Sequence, residues 1–337
     1  MNRVSIALVV VLLALLAIGL GWWLWREPKE RPRPPQPPPT PVGPLQTPEG
    51  DAEAISRLRR ELDTLRQGGK TKVAYRAGST EELAGYRRWL DGYLRFAARA
   101  TTPEVTTPEV TAPPGFRLLE LPGVDLLAEQ QAERRGAGVL VLRSGEAQPW
   151  VIEVPHSFFD EGTLEIGINA FVWRRARALL VNTVHRYRAL ASAPNDDASD
   201  SDDDDSSVSD VAHAEASFYL TAHAACVDNL GDVGIVQLHG FSDASAGQAD
   251  LVLSPAGSRA DPVPIARALE RALGLRVAVY PTQIHKLGGT QNRQAHYSIS
   301  VSRPFLHVEM SKSLRKQLTQ DPERLRRFLD ALLGSTG

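Results

Sequence analysis

One cysteine, Cys226, occurs in 337 residues. A single thiol excludes an internal disulfide framework and a Cys-rich zinc site, and it says little about redox compartment. Histidine is missing from the N-terminal part, since all eight lie between 156 and 307. Metal or acid–base chemistry therefore belongs to the C-terminal half. Net charge is also scarce, at −2, which argues against a general nucleic-acid binder. That value hides an asymmetry: eight Asp lie within 196–210, and without them the rest of the chain is +6. No G-x-S-x-G elbow, H-E-x-x-H pair, P-loop or Rossmann glycine pattern is present. Cys226 falls inside a helical stretch, so nucleophilic Ser or Cys chemistry has little support.

Residues 4–25 carry no charge over 22 positions, enough at about 1.5 Å per residue to cross a ~30 Å hydrocarbon core. The run is longer than a signal-peptide core and ends in Trp22, Trp23 and Trp25, which suit a membrane interface. Residues 1–25 are accordingly expected to be an uncleaved transmembrane signal anchor, against a cleaved signal peptide. Counting Lys and Arg would keep the following chain cytoplasmic. The layout of anchored hydrolases favours the opposite: a single-pass inner-membrane protein with a periplasmic soluble part. Residues 28–48 hold ten of the 24 prolines, so 26–49 reads as a polyproline-type spacer reaching about 60 Å.

After residue 49, 288 of the 337 residues remain, enough for a sizeable core. Ile55, Leu58, Leu62 and Leu65 have helical spacing. Ser79 and Glu82 form a capping-box pattern that opens a second helix through about Ala100. A tandem TTPEV at 101–110 is a linker. From about 115, short apolar runs at 139–142, 150–154, 179–181, 233–238, 250–253, 276–280 and 305–308 alternate with helical stretches at 163–177, 213–226, 264–273 and 322–333. This alternation predicts a three-layer α/β/α sandwich with a mostly parallel or mixed central sheet, preceded by the one transmembrane helix. The expected division is 50–114 as a helical N-terminal region and 115–337 as one α/β domain. The acidic run 196–210 reads as a solvated surface loop within it.

Three strand ends carry unusual polar residues. Strand 150–154 runs into His156, Asp160 and Glu161; strand 233–238 runs into His239-Gly240; the strand near 305–308 carries His307 and Glu309. Ligands of open α/β sheets bind outside the carboxyl ends of strands, so the three tips are candidates for one site. Two imidazoles and a carboxylate are a common protein set for catalytic zinc, with one position left open. A further carboxylate then handles the proton. The spacings H-x3-D and H-x4-E leave Asp160 and Glu161 as alternatives, to be reached through a loop. Arg186 suits a bidentate clamp on a substrate carboxylate or a surface ion pair. His213 is a hydrogen-bond donor to substrate or a cap for its own helix. Residues 286–294 form a Gly-hinged polar loop, either a cover over a ligand or an exposed turn. Glu309 is a proton acceptor or the partner of Lys312 or Arg315.

The order V-P-H (154–156), N-T-x-H-R-Y (182–187), D-V-A-H (210–213), Q-L-H-G-F (237–241), G-G-T-Q-N (288–292) and H-V-E-M-S…L-R (307–315) resembles zinc-dependent hydrolases related to N-formylglutamate amidohydrolase and zinc carboxypeptidases. The resemblance covers about 138–333. It implies Zn2+ on His156, His239 and an acid soon after His156, Asp160 or Glu161, with Asp160 preferred. It also implies Glu309 as the catalytic carboxylate and Arg186 as the substrate-carboxylate residue; His213 and Asn292 are further candidates for binding the substrate. Two departures stand out: the ligand acid is displaced from H-x-x-E, and D-V-A-H replaces a D-x-N-R-like element.

The expected function is thus a membrane-anchored zinc hydrolase cleaving an amide bond, in a small peptide or N-acyl amino acid, next to a free carboxylate. The partners are that substrate and the membrane through residues 4–25, with no nucleic acid. Two alternatives stand beside it: a peptidoglycan N-acetylmuramoyl-L-alanine amidase, and a non-catalytic membrane-tethered scaffold.

Overall fold

The computed structural model describes residues 56, 59–64, 75–99, 111–121, 123–130, 135–187 and 208–334. Ser79 and Glu82 close the expected capping box: Glu82 N–H donates to Ser79 Oγ at 3.2 Å, and Ser79 N–H to Glu82 Oε2 at 2.8 Å. Helix α1 (Thr80–Arg99) starts there. The chain then runs through β1 (Phe116–Leu121), β2 (Val124–Glu129), β3 (Val139–Arg143), β4 (Gln148–Val154), α2 (Thr163–Trp173), β5 (Ala176–Val181) and α3 (Phe218–Asn229). It continues with β6 (Gly234–Phe241), β7 (Leu251–Ser254), α4 (Pro262–Leu273), β8 (Val277–Val279), α5 (Arg293–Ser300), β9 (Phe305–Ser311), α6 (Lys312–Gln320) and α7 (Pro322–Leu333).

The strands form one nine-stranded sheet in the order β1-β2-β3-β5-β4-β6-β9-β7-β8. It is mixed: β5/β4, β4/β6, β6/β9 and β7/β8 pair in parallel, while β1/β2, β2/β3, β3/β5 and β7/β9 are antiparallel. Successive strand residues feed opposite faces. Val151 and Ile235 pack with Tyr86 and Leu90 of α1, Phe218 of α3 and Ala295 of α5. Ile152 and Val236 pack with Phe171 of α2, Leu269 of α4, Leu314 of α6 and Phe328 of α7. Helices on both faces make the three-layer sandwich, and they explain why the central strands read as mostly apolar runs. Gly167 lets α2 lie close to β4, because a Cβ there would come within 2.5 Å of Val154 Cγ2.

Connectivity places the site. From β4 the chain crosses to β5 on one side, and after α3 it returns to β6 on the other side of β4. The order reverses between β4 and β6, which opens a crevice beyond their carboxyl ends.

Several boundaries differ from the sequence expectation. The helix expected over 163–177 ends at Trp173, because Ala176 already begins β5. The one expected over 213–226 begins at Phe218, where Ser217 Oγ accepts from Leu220 N–H. The loop expected over 286–294 stops at Asn292, which caps α5. Strands β1 and β2 and helix α5 were not anticipated; α6 was expected only as the helix after Glu309 that carries Lys312 and Arg315. No helix among the described residues is long and apolar enough to cross a membrane. The anchor expected over 1–25, the Pro-rich 26–49 and all but the last three residues of 196–210 lie outside the described residues.

Candidate metal centre

Pro155 ends β4, and the chain closes one tight turn in which Asp160 N–H donates to the His156 carbonyl at 2.8 Å. This is a helical i to i+4 bond, so H-x3-D brings both side chains to one face without a long loop. Both are buried, whereas Glu161 is exposed, so of the two alternative acids it is Asp160 that stands beside His156. On β6, His239 lies on the same sheet face as Gln237, two residues earlier. Gly240 follows. Its N–H donates to Asp160 Oδ2 at 3.0 Å, and its missing side chain leaves room for the Arg315 guanidinium.

Three ligand atoms converge in the β4/β6 crevice. His156 Nδ1 is 3.1 Å from His239 Nδ1 and 3.4 Å from Asp160 Oδ2, and His239 Nδ1 is 3.9 Å from the same oxygen. A tetrahedral cation with bonds of about 2.0–2.1 Å separates its ligands by about 3.4 Å. The triangle fits that edge length. Among the described residues, this is the group of His, Cys, Asp and Glu side chains able to hold a metal. His239 is held well below the ordinary imidazole value, by burial first and then by the neighbouring His307, His156 and Arg186. It is therefore neutral, as a metal ligand must be.

Asp210 is the hub behind His156. Its Oδ1 accepts from His156 Nε2 at 2.9 Å and from Ala212 N–H at 3.1 Å; its Oδ2 lies 2.6 Å from Arg186 Nη2 and 3.1 Å from His213 Nδ1. Burial alone would raise the Asp210 carboxyl, but His156, His213 and Arg186 outweigh it and hold the group well below the carboxylate range. Because a carboxylate only accepts, His156 Nε2 carries a hydrogen and its Nδ1 faces the triangle. Arg186 and His213, both expected to meet substrate, are thus joined to Asp210. Arg186 Nη1 also comes within 3.5 Å of His156 Nδ1, and its guanidinium lies against the rings of Phe159 and Tyr187.

Glu309 lies on β9 directly beside His239 in register. Its Oε1 is 3.0 Å from His307 Nε2, and the His307 and His239 rings are 4.4 Å apart. The expected alternative partner Arg315 instead donates to the carbonyls of Glu161, Phe241 and Met310. Asn292 is buried; its Nδ2 donates to Gln237 Oε1 at 2.5 Å and its Oδ1 accepts from Ala295 N–H. The structure joins it to the inner side of His239.

Sequence reasoning passed over Glu153, Gln237 and the carboxylate of Asp210. Glu153 and Gln237 did leave a signal: Glu153 is the one polar residue in WVIEV, and Gln237 shares GIVQLHGF with His239 alone, two residues apart and so on the same face.

No family model matches the chain, and no curated protein is similar to it. Solved structures similar to it include one described as a "putative metallopeptidase" from Shewanella amazonensis, 14% identical over 65% of this chain and 83% of that one, with a TM-score of 0.34. A succinylglutamate desuccinylase from Vibrio cholerae is 13% identical over 64% of each chain, with a TM-score of 0.33. That of Chromobacterium violaceum is 12% identical over 74% of this chain and 72% of its own, with a TM-score of 0.32.

Proposed function

We propose that this chain is a metal-dependent hydrolase, with zinc as its cation, that cleaves an amide bond beside a free carboxylate. The observation that carries the reading is the triangle itself: two imidazole nitrogens and a carboxylate oxygen, all buried, within 3.9 Å of one another. Two His and one acid suit zinc with an open position better than they suit calcium or magnesium, which prefer all-oxygen shells. A divalent cation at that point supplies Lewis acidity to a water and to a carbonyl oxygen.

The chain's own residues do the rest. Glu309 takes and returns the proton, which requires reach to the reacting centre and not ligation of the metal. Its pairing with His307 fixes the carboxylate on the strand next to His239. Arg186 orients the substrate carboxylate; what supports this is a guanidinium braced by Asp210 and brought within 3.5 Å of His156 Nδ1. N-acyl amino acids and small peptides are substrates that carry an amide next to a free carboxylate.

The test uses the full chain reconstituted with zinc and a panel of N-acyl amino acids and dipeptides. About one zinc per chain is expected. Glu309→Gln should keep that zinc and lower turnover by ~10²–10⁴, whereas His239→Ala should lose the metal. Below about 0.2 zinc per chain after reconstitution, the metal reading fails. Unaltered turnover in zinc-loaded Glu309→Gln removes Glu309 from the mechanism.

A further inference from the structure

Behind His239 lies a polar network closed to solvent, reaching across β4, β6, α3 and α5. Ser298 Oγ is 3.2 Å from His223 Nε2, and His223 Nδ1 is 2.7 Å from Glu153 Oε1. The order Ser–His–Glu has the spacing of a nucleophilic triad, but all three side chains are fully buried, so no substrate reaches them. The network continues the other way, toward the metal centre, through Gln237.

Gln237 makes four hydrogen bonds, the most its amide can make. Its Nε2 donates to Glu153 Oε2 at 2.8 Å and to Gln294 Oε1 at 3.4 Å. Its Oε1 faces Asn292 Nδ2 at 2.5 Å and His239 Nε2 at 2.7 Å. Each outer partner has a polarity fixed by a group that cannot reverse. Glu153 presents its Oε1 to His223 Nδ1 and its Oε2 to the Gln237 amide nitrogen. Gln294 gives its Nε2 to the Val211 carbonyl at 2.8 Å, so its oxygen faces Gln237. Asn292 accepts Ala295 N–H at 3.0 Å on its Oδ1, so its amide nitrogen faces Gln237. A reversed Gln237 would set oxygen against carboxylate and NH2 against NH2. Only one direction is consistent with all three.

We infer that Gln237 is a positioning residue that selects the metal-binding tautomer of His239. With its oxygen turned to Nε2, His239 must carry its hydrogen on Nε2, which leaves the Nδ1 lone pair facing His156 and Asp160. The inference rests on the metal reading above but makes a claim of its own, because the tautomer is a property of the metal-free chain. The choice is made by the Glu153 side chain together with backbone groups of Val211 and Ala295, none of them a ligand.

The test is nitrogen NMR of the metal-free, full-length chain labelled at histidine, with His239 assigned by its loss in His239→Gln, beside zinc titration in competition with a chelating indicator. The wild type is expected to show His239 protonated on Nε2. Gln237→Met should mix the tautomers and weaken zinc binding by about 10–100-fold, the usual effect of losing a partner behind a ligand. Exchanging acid and amide in the double variant Glu153→Gln, Gln237→Glu returns an acceptor to Nε2 and should restore the tautomer, with zinc binding recovered only in part, because the outer oxygen of the new carboxylate then faces Gln294 Oε1. Packing alone would not produce that rescue. A hydrogen on Nδ1 in the wild type, or wild-type zinc affinity in a folded Gln237→Met, overturns the assignment. If Gln237→Met does not fold, the wild-type spectrum and the exchange variant still decide it. A wild type with the Nε2 hydrogen that takes no zinc sinks the metal reading and leaves the tautomer assignment supported.

Discussion

His156 is asked to do two things that conflict. Burial and the Arg186 charge press its pKa down, but Asp210 and Asp160 outweigh them and lift it above the ordinary imidazole value. Without metal the ring therefore tends to hold a proton, bridging the Asp210 and Asp160 carboxylates. A cation needs the Nδ1 lone pair, so binding must expel that proton. The sign follows. As pH falls through the raised His156 value, zinc affinity drops by up to about tenfold per unit, and above that value it levels off. Asp210→Asn removes the charge that raises His156, so the midpoint of zinc loading should move to lower pH. Affinity at high pH should also fall, by about 10–100-fold, because the partner behind His156 is changed. Zinc competition titrations from about pH 5 to 8 read both effects. A midpoint unmoved in Asp210→Asn would mean that Asp210 does not set the His156 proton.

At the level of elements, α1 shows how a local sequence signal acquires tertiary weight. Glu82 caps the helix and also pairs with Arg76 at 2.8 Å and Arg135 at 2.6 Å. The Arg135 guanidinium in turn lies over the Phe218 ring of α3. The Arg76 hydrogen bonds, then the Ser79 N–H, lower the Glu82 carboxyl from 4.5 to about 2. A depressed carboxyl stabilises the fold above its unfolded value and loses that effect as pH falls through the folded one. These are surface contacts, so Glu82→Ala should cost about 1 kcal/mol at neutral pH, and the gap from wild type should close between about pH 4.5 and 2. Urea unfolding at several pH values checks this, and a gap that does not depend on pH would leave only the helix propensity of the substitution. The capping box was legible because it is written within four residues. The central strands were legible because burial on both faces keeps most of their positions apolar, with Glu153, Gln237, His239, His307 and Glu309 among the exceptions. Strands β1 and β2 were not, since Arg117, Glu120 and Asp125 interrupt the apolar pattern. For the site, His156 and His239 were legible at strand ends. The partnership of Glu153 with Gln237 was not, because it exists only once β4 and β6 are neighbours in register.

On the scale of the whole molecule, the proposed cation would join two parts of the chain that meet through topology alone. His156 and Asp160 follow β4 and His239 lies near the carboxyl end of β6, with 83 residues separating the two histidines, while β4 and β6 are adjacent strands at the reversal of sheet order. An unfolded chain does not keep these three groups together, so zinc held there would bind the native state selectively and stabilise it by mass action. Free zinc at about 100 times its dissociation constant should add about 2.7 kcal/mol, and raise the unfolding temperature by about 5–10 °C for a chain of this size. Any divalent ion attracted by the eight Asp of 196–210 would bind without depending on the triangle. The comparison with His239→Ala separates the two: the wild type should be stabilised by zinc and the variant should not. Calcium, which does not favour imidazole ligands, should stabilise neither to the same degree. Equal zinc shifts in wild type and His239→Ala would place the ion outside the β4/β6 crevice, and the sheet reversal would then be a feature of the fold without a metal in it.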